Sequence, residues 1–224
     1  MYLSKVQLSP SHQSAKELIS LDGMGVYTSH QLLWQLFRQQ DERGFLFREE
    51  QYHQGMPEYY VLSNIPPQLD HPILRVNTKP FNPQLGVGQQ LAFTLRANPT
   101  ICVKDGAGKS KRHDVLMHAK SQFQQLKQTP GMGIQDVMNN AAQTWIGDEK
   151  RLKRWGIQLN AVPEVLRYTQ HRSHQKAGQK ITFSSVDYHG ILTVADPMLF
   201  LQQHSMGFGR AKGFGCGLML IRGF

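Results

Sequence analysis

The chain has 224 residues, enough to bury a sizeable core in one large or two small domains. It carries 25 Lys and Arg against 16 Asp and Glu, a formal net charge of +9. Its only two cysteines, Cys102 and Cys216, lack the CxxC spacing, which argues against a disulfide-stabilised secreted domain and a cysteine zinc site. Because we find neither a long apolar run nor a signal-peptide core, we expect a soluble cytoplasmic protein with no membrane partner.

The positive charge is concentrated in the middle of the chain. Residues 1–99 carry eight basic and eight acidic residues, whereas residues 100–180 carry fourteen basic and six acidic ones. Such a block is the electrostatic footprint expected of a protein with a polyanionic partner. The alternative is a cationic surface that serves solubility alone.

The first ninety residues have the pattern of one compact α+β unit. Alternating and helical apolar patterns predict, in chain order, a strand, a helix and three further strands over residues 2–8, 29–40, 45–48, 59–62 and 73–76. Thr28 or Ser29 is the predicted N-cap of the helix. This order suggests a ferredoxin-like half.

The second half repeats the β-α-β-β-α-β order with an enlarged first crossover. The predicted elements are a strand at 91–97, a basic polar excursion at 104–113, helices at 114–128 and 134–156, a hairpin of strands 180–186 and 189–194, a helix opened by Asp196-Pro197, and a last strand after a glycine-rich loop. We therefore expect an α+β fold of two tandem ferredoxin-like domains, residues 1–88 and 89–224.

The glycine-rich loop has five alternating glycines between residues 207 and 217, together with Arg210 and Lys212. Glycine permits positive φ and close backbone approach, so successive N–H groups, Gly215 and Gly217 included, can form an anion nest. The two cations supply full charges for phosphate oxygens. The loop therefore predicts phosphate binding, and the alternative is a glycine-rich turn with solvated cations.

A second candidate phosphate-binding segment lies in the basic block. Gly108-Lys109-Ser110 resembles the end of a Walker A motif, but Val103 stands where that motif requires glycine. The segment is instead suited to following a phosphate backbone, unless it is a solvated hairpin tip. The candidate cations of the whole block for binding such a polyanion are Lys104, Lys109, Lys111, Arg112, Arg172, Lys176 and Lys180.

The ten histidines carry no metal-binding signature, and the chain has no G-x-S-x-G nucleophile motif. We therefore expect no metal and no cofactor, and any chemistry has to come from a histidine. Tyr27 and His30 are one helical turn apart at the start of the first helix, and histidine is suited to proton transfer near neutral pH. The alternative is that His30 is a surface or packing residue.

Five segments together resemble the CasE family, the CRISPR RNA-processing endoribonucleases of type I-E Cascade complexes. They are residues 1–6, 26–37, 45–48, 93–99 and 207–218, and they occur in the same order across nearly the whole chain. Residues 129–175 match the family poorly.

The resemblance implies two RNA-recognition-motif-like ferredoxin domains and metal-independent cleavage of the CRISPR repeat transcript at the base of its stem-loop. The products would be a 2′,3′-cyclic phosphate or 3′-phosphate and a 5′-hydroxyl. The enzyme would stay bound to the 3′ hairpin of its product, among the other Cascade protein subunits. His30 matches the catalytic histidine and Tyr27 its partner, while Lys212 lies in the motif near the cleavage site. The alternative is a non-catalytic subunit of the same fold that only binds the RNA hairpin.

Overall fold

The computed structural model describes residues 1–9, 26–39, 41–51, 57–104, 106, 108–125, 133–174 and 180–223. Within these ranges the chain forms two larger antiparallel sheets and a separate two-stranded hairpin. None of the helices in the described residues is long and apolar enough to cross a membrane.

The first half contains a four-stranded sheet with one helix packed on it. Its elements are β1 (Tyr2–Leu8), α1 (Val26–Trp34), β2 (Phe45–Gln51), β3 (Pro57–Ser63) and β4 (Leu74–Pro80). The strand order is β2-β3-β1-β4, with every pairing antiparallel. This is the order of a ferredoxin-like sheet, so the fold predicted for this half is confirmed.

The apolar stripe of α1 explains why the helix lies on this sheet. Leu32 and Leu33 are fully buried against Val6, Phe47 and their neighbours. The helix differs in its limits from the prediction, since α1 ends at Trp34 and only a 3-10 turn continues through residue 37.

The predicted N-cap of α1 is wrong, because Thr28 and Ser29 both lie inside the helix. Ser29 instead donates a hydrogen bond from Oγ to Oε2 of Glu49 on β2, at 2.5 Å. Ser29 therefore does not cap α1, and its hydrogen bond links the helix to strand β2 of the sheet.

The second half forms a sheet of order β11-β5-β10-β8, with β9 also paired to β10. Its elements are β5 (Gln90–Ala97), β6 (Thr100–Lys104), β7 (Ser110–Asp114), α2 (Val115–Gln125), α3 (Ile134–Ile146), α4 (Glu149–Trp155), β8 (Ile157–Leu159), β9 (Glu164–His174), β10 (Lys180–Val194), α5 (Pro197–Met206) and β11 (Met219–Gly223). The hairpin β6–β7 and helices α2 to α4 fill the enlarged crossover between β5 and β9.

The hairpin predicted from residues 180–186 and 189–194 is wrong, since these residues form the single long strand β10. The polar Asp187 looks like a turn residue, but its carboxylate is buried and accepts two hydrogen bonds from Arg96 on β5. A register shift between Asp187 and Tyr188 takes the place of the turn. The hairpin partner of β10 is β9.

The helix predicted over residues 134–156 is two helices. Gly147 ends α3, and Asp148 caps α4 by accepting a hydrogen bond from the N–H of Arg151. The predicted start of α5 is confirmed, because Asp196 accepts hydrogen bonds from two N–H groups of the first turn and Pro197 is the first helical residue.

The two halves pack on each other through a small apolar cluster. Leu46 on β2 and Leu62 on β3 contact Leu218, which directly precedes β11. The ring of Phe81 stacks on the buried His204 of α5, with 5.4 Å between centroids. The glycine-rich loop between α5 and β11 therefore lies at the junction of the halves. The domain boundary at residue 88 stays a prediction, and it falls between β4 and β5.

Candidate functional site

His30 lies on α1 at the edge of the first sheet. Its half-buried ring is stacked 6.1 Å from the ring of Phe45 and lies 5.5 Å from that of Trp34. Burial lowers the pKa of His30 below its ordinary value, and the positive charge of Arg43 lowers it further. The imidazole is therefore mainly neutral at neutral pH, the form that can accept a proton.

The glycine-rich loop brings its backbone against His30. A Cβ atom added at Gly213 would lie 4.0 Å from both Cδ2 and Nε2 of His30, and 2.8 Å from Nη1 of Arg43. The loop is a 3-10 turn here, Lys212–Phe214, preceded by Ala211 in the left-handed region at φ 53°. Chain segments nearly two hundred residues apart thus meet at one place.

Arg43 is a site residue that the sequence interpretation missed. It is exposed and lies in the short connection before β2, and its guanidinium reaches the loop at Gly213. The charge of Arg43 lowers the pKa of both His30 and Lys212. The one sequence signal was its position two residues before Phe45, where a matching segment begins.

Lys212 is held at the same end of the loop. Its Nζ donates a hydrogen bond to the carbonyl oxygen of Met206 at 2.5 Å. Burial is the main cause that lowers the pKa of Lys212, followed by the charges of Arg43 and Arg210. Arg43 therefore lies close enough to act on both His30 and Lys212, and Arg210 acts on Lys212 as well. This concentration of positive charge favours an anion.

The loop backbone makes hydrogen bonds of its own. The N–H groups of Phe214 and Cys216 both donate to the carbonyl of Ala211, and the N–H of Gly217 donates to the carbonyl of Arg96 on β5. Gly215 and Gly217 are buried and have φ of 79° and 92°. These glycines hold the loop conformation, and the RNA contact expected of them stays a prediction.

A further cavity, of about 530 Å³, lies between the halves next to this loop. Its lining includes Phe214, Arg96, Asp187 and His171. Arg96 binds Asp187 through two hydrogen bonds and donates a third to the carbonyl of Glu49 on β2. This arginine therefore ties the second sheet to the first one beneath the loop.

The cations of the basic block lie on two separate elements. We call β6 and β7 with their connection, residues 100–114, the basic hairpin, and its side chains Lys104, Lys109, Lys111 and Arg112 are all exposed. Arg172 is exposed on β9. Both elements are separate in the chain from the glycine-rich loop.

Three predicted site residues are described by the structure only in part or not at all. Tyr27 lies in α1 one turn before His30, and Lys180 begins β10, but the side chains of both lie outside the described residues. Lys176 falls outside the described residues altogether. Among the described residues, no three His, Cys, Asp or Glu side chains come together as a metal-binding group.

Comparison with known proteins gives matches along the whole chain. The family model described as CRISPR associated protein matches residues 1–223. The CRISPR system Cascade subunit CasE of Escherichia coli K12 is 28% identical over 226 residues, covering 99% of this chain and 98% of that protein. The CRISPR-associated endoribonuclease Cse3 of Thermus thermophilus is 26% identical over 240 residues, covering 99% of both.

A solved structure has the same fold. It is Thermus thermophilus Cse3 bound to an RNA that represents a pre-cleavage complex, and its TM-score is 0.70 at 25% identity. The match covers 99% of this chain and 98% of that one. The tandem ferredoxin-like architecture predicted from the sequence is thereby confirmed.

Proposed function

The chain belongs to the family of CRISPR-associated proteins, and we propose that it is the endoribonuclease that cleaves CRISPR repeat RNA at the base of the stem-loop. It then stays bound to the 3′ hairpin as a Cascade subunit. The relatives that carry this proposal are named an endoribonuclease and a Cascade subunit, and they match nearly the full chain. We propose a cytoplasmic location, where such transcripts are made.

The observation that carries the proposal is the meeting of His30 with the glycine-rich loop. A proton-transfer group, a close-approach backbone at Gly213 and the guanidinium of Arg43 lie within a few ångströms of one another. Lys212 adds a further cation at the same end of the loop. RNA cleavage without a metal requires these components: one group to move a proton and fixed positive charge for the phosphate.

The reaction starts with attack of a ribose 2′-oxygen on the adjacent phosphorus. The 2′-oxygen–phosphorus bond forms and the bond from phosphorus to the 5′-oxygen breaks. One proton leaves the 2′-hydroxyl, and one proton is added to the departing 5′-oxygen. The products are a 2′,3′-cyclic phosphate, which can open to a 3′-phosphate, and a 5′-hydroxyl.

His30 is the group that takes the 2′-hydroxyl proton. Its lowered pKa keeps the ring neutral at neutral pH, so Nδ1 or Nε2 can accept a proton. Arg43 and Lys212 offset the negative charge that grows on the phosphate oxygens in the transition state. We assign Tyr27 to positioning of the reacting hydroxyl, because it lies one helical turn before His30.

We assign RNA binding to the cations of the basic hairpin, of strands β9 and β10 with their connection, and of the glycine-rich loop. The basic hairpin holds the stem through its phosphates, because the deep, narrow major groove of A-form RNA hides the base edges. Lys104, Lys109, Lys111 and Arg112 are exposed there, as binding requires. Arg172, Arg210, Lys176 and Lys180 extend the same function.

Incubation of the purified protein with its repeat RNA in EDTA tests the proposal. We expect one cut at the base of the stem and a 5′-hydroxyl product, with His30→Ala reducing the single-turnover rate by about 10²–10⁴-fold while hairpin binding persists. His71→Ala is the matched control. His71 lies shortly before β4, and its Nε2 is 3.1 Å from Oε1 of Gln35 in the 3-10 turn that follows α1. An intact RNA that is nevertheless bound would identify a non-catalytic hairpin-binding subunit instead.

A further inference from the structure

A separate cavity of about 350 Å³ lies between α4, the start of the basic hairpin and the glycine-rich loop. Three arginines line it, and the residues that line it include no carboxylate: Arg151, Arg154 and Arg210. Trp145 and Trp155 also line the cavity, and both are more than nine-tenths buried. We call this the arginine cavity.

Arg151 is held in place by its neighbours. Its guanidinium lies over the ring of Trp145, 4.4 Å from the centroid, and Nη1 donates a hydrogen bond to the Trp145 carbonyl. An arginine fixed in this way loses little freedom when it binds a ligand. The side chain is therefore prepared for an anion.

The charges at the arginine cavity are not balanced locally. Burial lowers the pKa of Arg151, Asp148 opposes this, and the positive charge of Arg154 lowers the pKa further. Asp148 is the N-cap of α4, and its carboxylate accepts the N–H of Arg151. One carboxylate thus faces Arg151, while Arg154 and Arg210 leave the cavity net positive.

The arginine cavity is continuous with both RNA-facing elements of the proposed function. Arg210 belongs to the glycine-rich loop, and its charge lowers the pKa of Lys212 two residues later. A β-bridge between Arg210 and Asn98 fixes the loop backbone beside β5. On the other side, Thr100 lines the cavity and begins the basic hairpin.

We propose that the arginine cavity binds one phosphodiester group of the repeat RNA, between the part of the stem held by the basic hairpin and the scissile phosphate. This inference rests on the proposed function. Guanidinium groups bind phosphate oxygens with paired hydrogen bonds, which suits three converging arginines. Base stacking is disfavoured, because the two indoles are buried and Arg151 covers Trp145.

A scan with neutral methylphosphonate linkages tests the assignment. Every protein carries His30→Ala so that the RNA stays intact, and equilibrium binding is measured for each single replacement of a phosphate. In this parent, we expect one position near the base of the stem to weaken binding by about tenfold. With Arg154→Ala added, the same replacement should weaken binding less, because one of the three arginines that contact this phosphate is gone, and the slope of log K against log salt should become shallower by about 1.

Lys153→Ala is the matched control, since it removes one exposed cation from α4 and Lys153 is not among the residues that line the cavity. It should keep the scan profile of the parent. An Arg154→Ala profile identical to that of the parent would overturn the inference. Cleavage by the protein with its native His30 is assayed in parallel, so a failure of the proposed function appears as uncut RNA and is distinguishable from an unchanged scan.

Arg154 is exposed, so its replacement should leave the fold intact, and the thermal unfolding midpoint checks this. A second variant, Arg210→Gln, removes a different charge from the same cavity. It should suppress the effect at the same phosphate as Arg154→Ala. Suppression at two unrelated phosphates would show separate surface contacts and would contradict a single binding cavity.

Discussion

Gly213 lies with its backbone against the imidazole of His30. A Cβ atom at residue 213 would be 4.0 Å from Cδ2 and Nε2 of His30 but only 2.8 Å from Nη1 of Arg43. The absence of a side chain at Gly213 therefore leaves space for the guanidinium beside the histidine. A methyl group there has to displace the end of Arg43.

Gly213→Ala should reduce cleavage without loss of the fold. The displaced atom is the end of a flexible side chain, and Gly213 has no positive φ, so the substitution costs little stability. We expect a cleavage rate lower by about tenfold, the scale of one displaced charged hydrogen bond. Single-turnover cleavage and thermal unfolding, measured on the same preparation, check both halves of this expectation.

Gly217→Ala is the matched comparison in the same loop. Gly217 has φ 92°, and a Cβ atom would lie 3.0 Å from the backbone oxygen of Phe208, which cannot rotate away. This variant should lose at least about 1 kcal/mol of unfolding free energy. Gly213 is assigned to leave space for Arg43 beside His30, and Gly217 to hold the loop conformation at positive φ. Equal stability and equal activity of the two variants would contradict this division.

The cleavage rate should rise with pH to a plateau, with its midpoint below 6.5. Burial first and Arg43 second lower the pKa of His30 from its ordinary value of 6.5, and protonation removes the base. Arg43→Gln removes the nearby positive charge and should shift the midpoint upward, although burial keeps it below 6.5. Single-turnover rates at constant ionic strength give the midpoint, and a downward shift would contradict the assignment.

The order of the elements along the first half could be predicted because alternation and helical stripes are local patterns. Predictions failed where a residue that fits a turn or cap pattern pairs instead with a residue far away in the chain. Asp187 looked like part of a turn but pairs with Arg96 on the neighbouring strand, and Ser29 looked like a cap but binds Glu49. No local pattern contains these partners.

The candidate site shows the same limit. His30 and Lys212 were predicted from their motifs, yet nothing in the sequence places Gly213 against His30. Arg43 was missed because a single arginine in a polar turn has no pattern of its own. Its role comes from the packing of the glycine-rich loop at the junction of the halves.

Lys212→Ala should weaken RNA binding or cleavage while the thermal unfolding midpoint changes little. The side chain donates a hydrogen bond to the exposed end of α5 at Met206, and its removal demands no new backbone geometry. Lys79→Ala, an exposed cation on β4, is the control of equal charge change. A Lys212→Ala protein with normal binding and cleavage would show that the loop is only structural.

Replacement of the four cations of the basic hairpin by alanine should weaken hairpin RNA binding and flatten its salt dependence. Each lost phosphate contact reduces the slope of log K against log salt by about 1. The four side chains are exposed, so the fold should persist. Filter binding at several salt concentrations measures the slope, and an unchanged slope would make the hairpin a solvated turn.

The buried His204 should make the protein less stable in acid. Its Nε2 lies 2.8 Å from the carbonyl oxygen of Met219, while Nδ1 is buried with no hydrogen-bond partner among the described residues. Burial lowers the pKa of His204 to about 4, although the Met219 carbonyl opposes the shift. The folded state therefore keeps the ring neutral where the unfolded chain is already protonated.

The unfolding free energy should fall as the pH falls below the unfolded-state pKa of His204. The reason is that the unfolded chain then binds a proton which the folded state, with its lowered pKa, does not bind. Between pH 6.5 and about 4, His204 should cost about 1.4 kcal/mol of unfolding free energy per pH unit. His204→Gln keeps a donor for Met219 and does not titrate. Urea unfolding of both proteins at several pH values should show a difference that shrinks as pH falls through this window, and a constant difference would contradict a neutral His204 in the folded state.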